Sequence, residues 1–270
     1  EKLKLRNIPN NLSWEELIKN IKNLKDENVN IAIVGKYIKL DDSYLSVIES
    51  LHHAGFANKV KVSIKLIDCE SINPETAKEK LSGLQGIIVP GGFGNRGVEG
   101  KIETIKYARE NNIPFLGICL GMQMAVVEFA RDVVGFTDAH SEELDPSTTH
   151  PVIHLMPDQN GVENIGGTLR LGSYPCVLDK NSKAYGLYGE ETIHERHRHR
   201  YEVNNDYRKQ LEENGMSLVG LSPDGRIVEM IEITEHPFFV GTQGHPELKS
   251  RPNHAHPLFR GFIQAAVDKK

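Results

Sequence analysis

From Val29 to Val134 the chain alternates short apolar runs with longer stretches in which apolar residues recur every three or four positions. The runs VNIAIVGKY, KVKVSIKLID, GIIVP and IPFLGIC have the length and composition of strands. The stretches DDSYLSVIESLHHAG, ending at Gly55, PETAKEKLSG, EGKIETIKYARENN and LGMQMAVVEFARDVV have the period of helices. Strands separated by helices of about ten to fifteen residues indicate a parallel sheet wound on both faces. Ahead of this region, Ser13 and Glu16 form a capping-box pattern for a helix over SWEELIKNIKNL, with Trp14, Leu17, Ile21 and Leu24 near one face, and the polar KDENVN separates it from the rest. After about residue 137 the rhythm breaks. FTDAHSEELDPSTTHP and MPDQNGVENIGG read as loops. GTLRLGSYPCVL, LVGLSPDGRIVEMIEI and FFVGTQGHP read as strands, with a tight hairpin at Gly225, and HPLFRGFIQAAVDKK as a closing helix. The expected fold is α/β: a mostly parallel, doubly wound central sheet flanked by helices, with an antiparallel extension. Residues 1–28 form a linker and N-terminal helix, and residues 29–270 one domain.

Composition narrows the function by exclusion. With 32 Lys and Arg against 37 Asp and Glu, a net charge of -5 offers no general attraction for nucleic acid or an anionic membrane. The three cysteines, Cys69, Cys119 and Cys176, are widely separated and form no C-x-x-C pair, which favours a reducing, cytoplasmic setting over a disulfide framework. No apolar run is long enough for a membrane span, and the first residues lack the apolar core of a signal peptide. The chain starts without Met, as a piece of a longer protein would.

Candidate chemistry centres on Cys119. In GICLG, glycines flank it two residues away on each side, the spacing of a nucleophile elbow with sulfur in place of oxygen. Such a turn sets the sulfur at a helix N-terminus, where the dipole and free N–H groups favour the thiolate. A buried cysteine that merely packs is the plainer alternative. In GHPEL, His245 and Glu247 stand two apart, on the same side of an extended strand end, so that Glu247 could orient the imidazole and His245 could carry the proton. Donors for an oxyanion are expected from the N–H of Gly92, in PGGFG, and of Leu120; a glycine-rich loop of this kind could equally hold a phosphate, although the Walker lysine order is missing. The run HERHRHRYE raises a metal site at His194, His197 and His199. The crowd of arginines disfavours a dication, and no metal is expected.

These elements in this order, PGG, GICLGMQ and HPE, resemble the class I (triad) glutamine amidotransferases. The stretches VGKYIKLDDSYLSVIESLHHAG, PGGFGNRGVEGK, GGTLRLGSYPC, ERHRHRYEVNN and SRP after HPE are similar to the glutaminase half of the CTP synthase family. The resemblance runs from about Val29 to the end and implies a class I amidotransferase fold with a flavodoxin-like core. It implies a triad of Cys119, His245 and Glu247. It further implies glutamine and oxyanion contacts at Gly92, Leu120, Gly121, Met122 and Gln123, with Glu143 and Arg200 holding the amino acid end of L-glutamine. Glutamine would be hydrolysed to glutamate and ammonia through a cysteine thioester. The ammonia would serve a preceding synthetase domain, absent from this chain, that uses ATP, Mg2+ and UTP to form CTP in pyrimidine biosynthesis. GTP is implied as activator, a homo-oligomer as the assembled state, and no cofactor in this half. Gly244 and Leu248 depart from the family pattern, which has aromatic residues there, and MPDQNGVENIGG is a short version of a lid. The alternatives are a glutaminase serving another synthetase and a silent regulatory or assembly module; retention of all three triad residues favours an enzyme.

Overall fold

Four of the apolar runs become parallel strands at the centre of the molecule. In the computed structural model, which describes residues 11–26, 28–40, 42–155 and 170–269, these are β1 (Asn28–Gly35), β2 (Lys61–Asp68), β3 (Gly86–Val89) and β4 (Phe115–Ile118). A fifth, β12 (Phe239–Thr242), joins from the far end of the chain, giving the parallel order β2-β1-β3-β4-β12. This is the flavodoxin-like order. Every residue of β3, β4 and β12 is buried, which is why they read as continuous apolar runs rather than alternating ones. One face is covered by α2 (Leu45–Asn58), α6 (Lys183–Tyr188) and α8 (Pro257–Asp268). The other is covered by α3 (Ala77–Leu81), α4 (Val98–Glu110) and α5 (Leu120–Phe129). Helix α5 is buried along its whole length, and its one charged residue, Glu128, is met by Arg109 of α4 at 2.6 Å. A lone carboxylate could not be buried there without such a partner.

The antiparallel extension forms as expected. Strands β11 (Val228–Ile233), β10 (Met216–Leu221), β7 (Arg170–Leu178) and β8 (Thr192–His199) continue the sheet beyond β12 to nine strands. Gly225 turns the β10–β11 hairpin at φ 73°.

Several expectations need correction. Helix α1 (Leu12–Lys22) starts after Asn11, and Ser13 and Glu16 do not form a capping box; the Ser13 hydroxyl instead accepts a hydrogen bond from Asn253. Of its expected apolar face only Leu17 is buried, while Trp14 and Ile21 are exposed, because α1 meets the described chain mainly along α2. Helix α2 runs through Gly55 to Asn58, and Lys59 takes the left-handed cap at φ 57°. Gly55 is a packing position rather than a terminator, since a Cβ there would stand 2.8 Å from Val62. The segment FTDAHSEELDPSTTHP, read as loop, holds one short strand, and a second begins at its last residue, Pro151. β5 (His140–Ser141) pairs with β6 (Pro151–Leu155), and β6 with β9 (Tyr201–Val203), in a separate three-stranded sheet. β5 is two polar residues and β6 five, too short for either to show a period, and β6 is completed by pairing with the distant β9. The expected lid MPDQNGVENIGG lies outside the described residues.

Candidate active site

Three neighbouring strands end at the same level, and each delivers one part of the site. The register places Val89 of β3 beside Gly117 of β4, and Gly117 beside Gly241 of β12. The loops beyond their carboxyl ends, where parallel sheets bind ligands, therefore bring together Gly91 and Gly92, Cys119, and the segment from Gln243 to Glu247. Cys119 has φ 51° and ψ -103°, a conformation that side chains rarely adopt. It is held by its own N–H on the Thr242 carbonyl at 2.7 Å and by the Gln123 N–H on its carbonyl at 3.2 Å. The flanking glycines make the turn possible. A Cβ at Gly121 would overlap the Val89 carbonyl, and one at Gly117 would press on the backbone of Gly121 at 2.8 Å.

His245 and Glu247 do not sit on an extended strand end, as expected, but at the entry to a 3-10 turn over Pro246–Leu248. The turn achieves the same result: His245 Nδ1 lies 2.8 Å from Glu247 Oε1. That leaves Nε2 free to serve the sulfur: it is buried and, among the described residues, has no hydrogen-bond partner. A Cβ built on Gly91 would touch the imidazole at 3.1 Å and the Cys119 Cβ at 3.5 Å, so both side chains converge on one point of the glycine loop. Burial alone would lower the imidazole pKa. The adjacent Cys119 and Glu247 overcome it and raise the value to about 10, which keeps a proton on His245 at neutral pH.

A cavity of about 390 Å³ opens at the sulfur, and Gly92, Leu120, Gln123, Glu143 and Arg200 all line it. Gly121 and Met122 do not: Gly121 packs on β3 and Met122 is part of the core. Arg200 bridges the end of β8 and the start of β9, so it stands where the two sheets meet. Its Nε is buried and has no hydrogen-bond partner among the described residues. Glu143 follows β5; the residue is exposed overall, yet its carboxylate is desolvated enough to raise its pKa, with Arg200 opposing. Phe93, Arg198, His199 and Tyr201 also line this cavity and were not foreseen. A second cavity of about 570 Å³ shares Gly92, Phe93, Cys119 and Arg198 with the first and is bordered by Tyr37, Leu40, Leu171 and Leu248. Cys119 thus sits at a partition between two openings. Leu248 is an exposed part of the second rim, while Gly244 allows β8 to come close: its Cβ would stand 2.8 Å from that of Glu195.

On β8 the side chains alternate, with His197 and His199 buried and His194 exposed. Among the described residues, His197, His199 and Glu229 have the spacing of a metal cluster, without His194. Arg170 donates directly to Glu229, which supplies the positive charge a cation would otherwise bring. Burial lowers both imidazole pKa values and raises that of Glu229 to about 7, with Arg170 opposing.

The glutamine amidotransferase class-I pattern matches residues 39–265. The chain belongs to this family. It is 58% identical over 260 residues to the CTP synthase of Clostridium acetobutylicum, covering 96% of this chain and 48% of that protein. It is also 56% identical over 255 residues to the CTP synthase of Bacillus subtilis, covering 94% and 48%. The chain spans about half the length of the curated relatives it matches. Among solved structures, the glutaminase domain of Trypanosoma brucei CTPS with bound acivicin superposes with a TM-score of 0.84 at 39% identity, over 90% of this chain and 95% of that one. In sequence and fold this member of the family is of the CTP synthase glutaminase type. No helix among the described residues is long and apolar enough to cross a membrane.

Proposed function

We propose that Cys119 is the nucleophile of L-glutamine hydrolysis, with His245 as its proton carrier and Glu247 as the group that orients His245. The observation that carries this reading is the place of Cys119 between two adjoining cavities, one lined by the charged residues Glu143 and Arg200 and the other by the hydrogen-bonded His245–Glu247 pair. Glutamine enters with its α-ammonium group toward Glu143 and its α-carboxylate toward Arg200, whose buried Nε has no partner among the described residues. The sulfur forms a bond to the side-chain amide carbon, and the carbonyl electron pair moves to oxygen, facing the N–H groups of Gly92 and Leu120. Collapse breaks the carbon–nitrogen bond, and the leaving nitrogen takes the His245 proton and departs as ammonia. Water then attacks the γ-glutamyl thioester, gives its proton to His245, and releases glutamate and the sulfur.

The ammonia serves a synthetase in the remaining half of the protein, which aminates UTP to CTP with ATP and Mg2+, with GTP as activator and within a homo-oligomer. Support comes from the names of the relatives and from the length that this chain leaves uncovered. The second opening at Cys119, with its apolar rim of Leu40, Leu171 and Leu248, suits an exit toward that half. No cofactor or metal is assigned to this chain. Cys119→Ala should abolish both glutamate release and covalent labelling by acivicin; full hydrolysis in that variant would overturn the assignment. Glutamine-dependent CTP formation by the full-length protein tests the coupling, and ammonia-dependent synthesis that ignores glutamine would refute it.

A further inference from the structure

Gln243 reaches the sulfur from the protein interior. It is fully buried and lines neither opening, yet its side-chain Nε2 lies 3.6 Å from Cys119 Sγ, within reach of a hydrogen bond to sulfur. Its Oε1 accepts from Gln123 Nε2 at 3.1 Å. The two ends of an amide have nearly the same shape, so something must decide which end faces the sulfur. The Tyr201 carbonyl decides it. A carbonyl only accepts, and this one takes Gln123 Nε2 at 2.9 Å and His199 Nδ1 at 2.9 Å. Gln123 must therefore present nitrogen to Tyr201. The same nitrogen then faces the oxygen of Gln243, and the Gln243 nitrogen is left pointing at Cys119.

We propose that Gln243 is a positioning residue for the amidotransferase reaction: its amide holds the Cys119 sulfur and stabilises its thiolate by donating a hydrogen bond from inside the protein. The proposal rests on Cys119 being the nucleophile. It explains why a polar side chain is tolerated at a fully buried position one residue past β12, where an unpaired amide would be costly. It also couples the sulfur to the substrate wall, because Gln123, which fixes the amide, lines the glutamine cavity. His245 acts on the sulfur through its proton; Gln243 acts through a donor that stays protonated at every working pH.

The test is the rate at which iodoacetamide alkylates Cys119, read by mass spectrometry of its peptide across pH, in the full chain and in two variants. Gln243→Met keeps the length and removes the donor, and Gln243→Glu keeps the shape but turns an acceptor toward the sulfur. A hydrogen bond to a charged group sets the expected effect at roughly tenfold or more. Alkylation at pH 7 and kcat should each fall by about that factor in the Met variant and further in the Glu variant, with KM for glutamine changed less. The alkylation profile should also move to higher pH. A residue that only fills space would lower the melting temperature and leave that profile in place, so a folded Met variant with the original profile overturns the proposal. Should neither variant melt cooperatively, the Gln243 side-chain amide of the unsubstituted chain is followed by 15N NMR while Cys119 is titrated. A resonance that tracks the thiolate supports the proposal, and one that ignores it refutes it. Alkylation does not require turnover, so this outcome is separable from hydrolysis in Cys119→Ala.

Discussion

Adding one methyl group at Gly117 tests whether the elbow is built by close packing. An alanine Cβ there would lie 2.8 Å from the carbonyl carbon and oxygen of Gly121 and 2.9 Å from the Met122 nitrogen. Ordinary contact begins near 3.4 Å, so the first turn of α5 must retreat by about 0.6 Å, since backbone atoms cannot rotate aside. Retreat is opposed on the other side, where Gly121 already rests against the Val89 carbonyl. This turn carries the sulfur. If a misplacement of about 1 Å costs on the order of 100-fold, a shift of this size costs roughly tenfold in kcat. Overpacking adds about 1–3 kcal/mol of destabilisation, or roughly 2–6 °C in melting temperature for a chain of this length. Glutamate release, the rate of acivicin capture by Cys119 and calorimetry measure the three effects. Gly186→Ala is the control, because nothing lies within 4 Å of a Cβ at that helical position. If Gly117→Ala matched the parent within twofold in capture rate and 1 °C in melting, close packing at the elbow would be the wrong explanation.

Other expectations follow from the same geometry. Cys119→Gly should melt higher than Cys119→Ala: relief of about 1–3 kcal/mol of backbone strain exceeds the roughly 0.4–1 kcal/mol that glycine adds to the unfolded entropy. A Cys119→Gly variant that melts below Cys119→Ala, as the entropy term alone requires, would mean that φ 51° stores no strain. Glu247→Gln removes a group that raises the His245 pKa, so the imidazolium should be lost at lower pH and kcat should fall about 100-fold or more; an unchanged alkaline limb of the kcat profile would contradict this. Arg200→Ala should raise KM for glutamine about 10- to 100-fold with a smaller change in kcat, whereas an effect confined to kcat would count against a carboxylate contact. Glu229 is raised from 4.5 to about 7 by burial, with Arg170 opposing. The folded state therefore holds its proton while the unfolded state has lost it, and stability should decline as pH rises from about 4.5 to 7, by up to about 3 kcal/mol from this group. Urea denaturation at pH 5 and pH 8 should show a smaller decline in Glu229→Gln, and parallel declines would exclude Glu229 as the source.

Along the buried face of β8 the hydrogen-bond partners fix where the protons lie. The Tyr201 carbonyl requires Nδ1–H on His199, so His199 Nε2 accepts from His197 Nδ1 at 3.1 Å. His197 Nε2 then turns a lone pair toward Glu229 Oε2 at 3.4 Å. A carboxylate would repel it, and a protonated acid would not. Geometry and the raised pKa of Glu229 therefore agree.

By itself the sequence determined the winding of strands and helices through α5, and the elbow at Cys119. Both are local: apolar runs and three-to-four-residue periods report strand and helix within a few turns, and two glycines two residues from a cysteine report a tight turn. The HPE tripeptide also read correctly as a pair, although a 3-10 turn rather than an extended end brings His245 to Glu247. What only the tertiary structure decided is non-local. β12 lies beside β4 although 121 positions separate Gly241 from Leu120 at the start of α5, and that pairing alone sets Gln243 behind the sulfur. The sheet of β5, β6 and β9 exists only through pairing across the chain, and with it the placement of Glu143 and Arg200 around one cavity. Whether Trp14 or Leu17 is buried depended on how little of α1 the neighbouring helix covers. A polar side chain such as Gln243 carries no sign in the sequence of which group will receive its hydrogen bond, because direction is fixed by the atoms that surround it after folding.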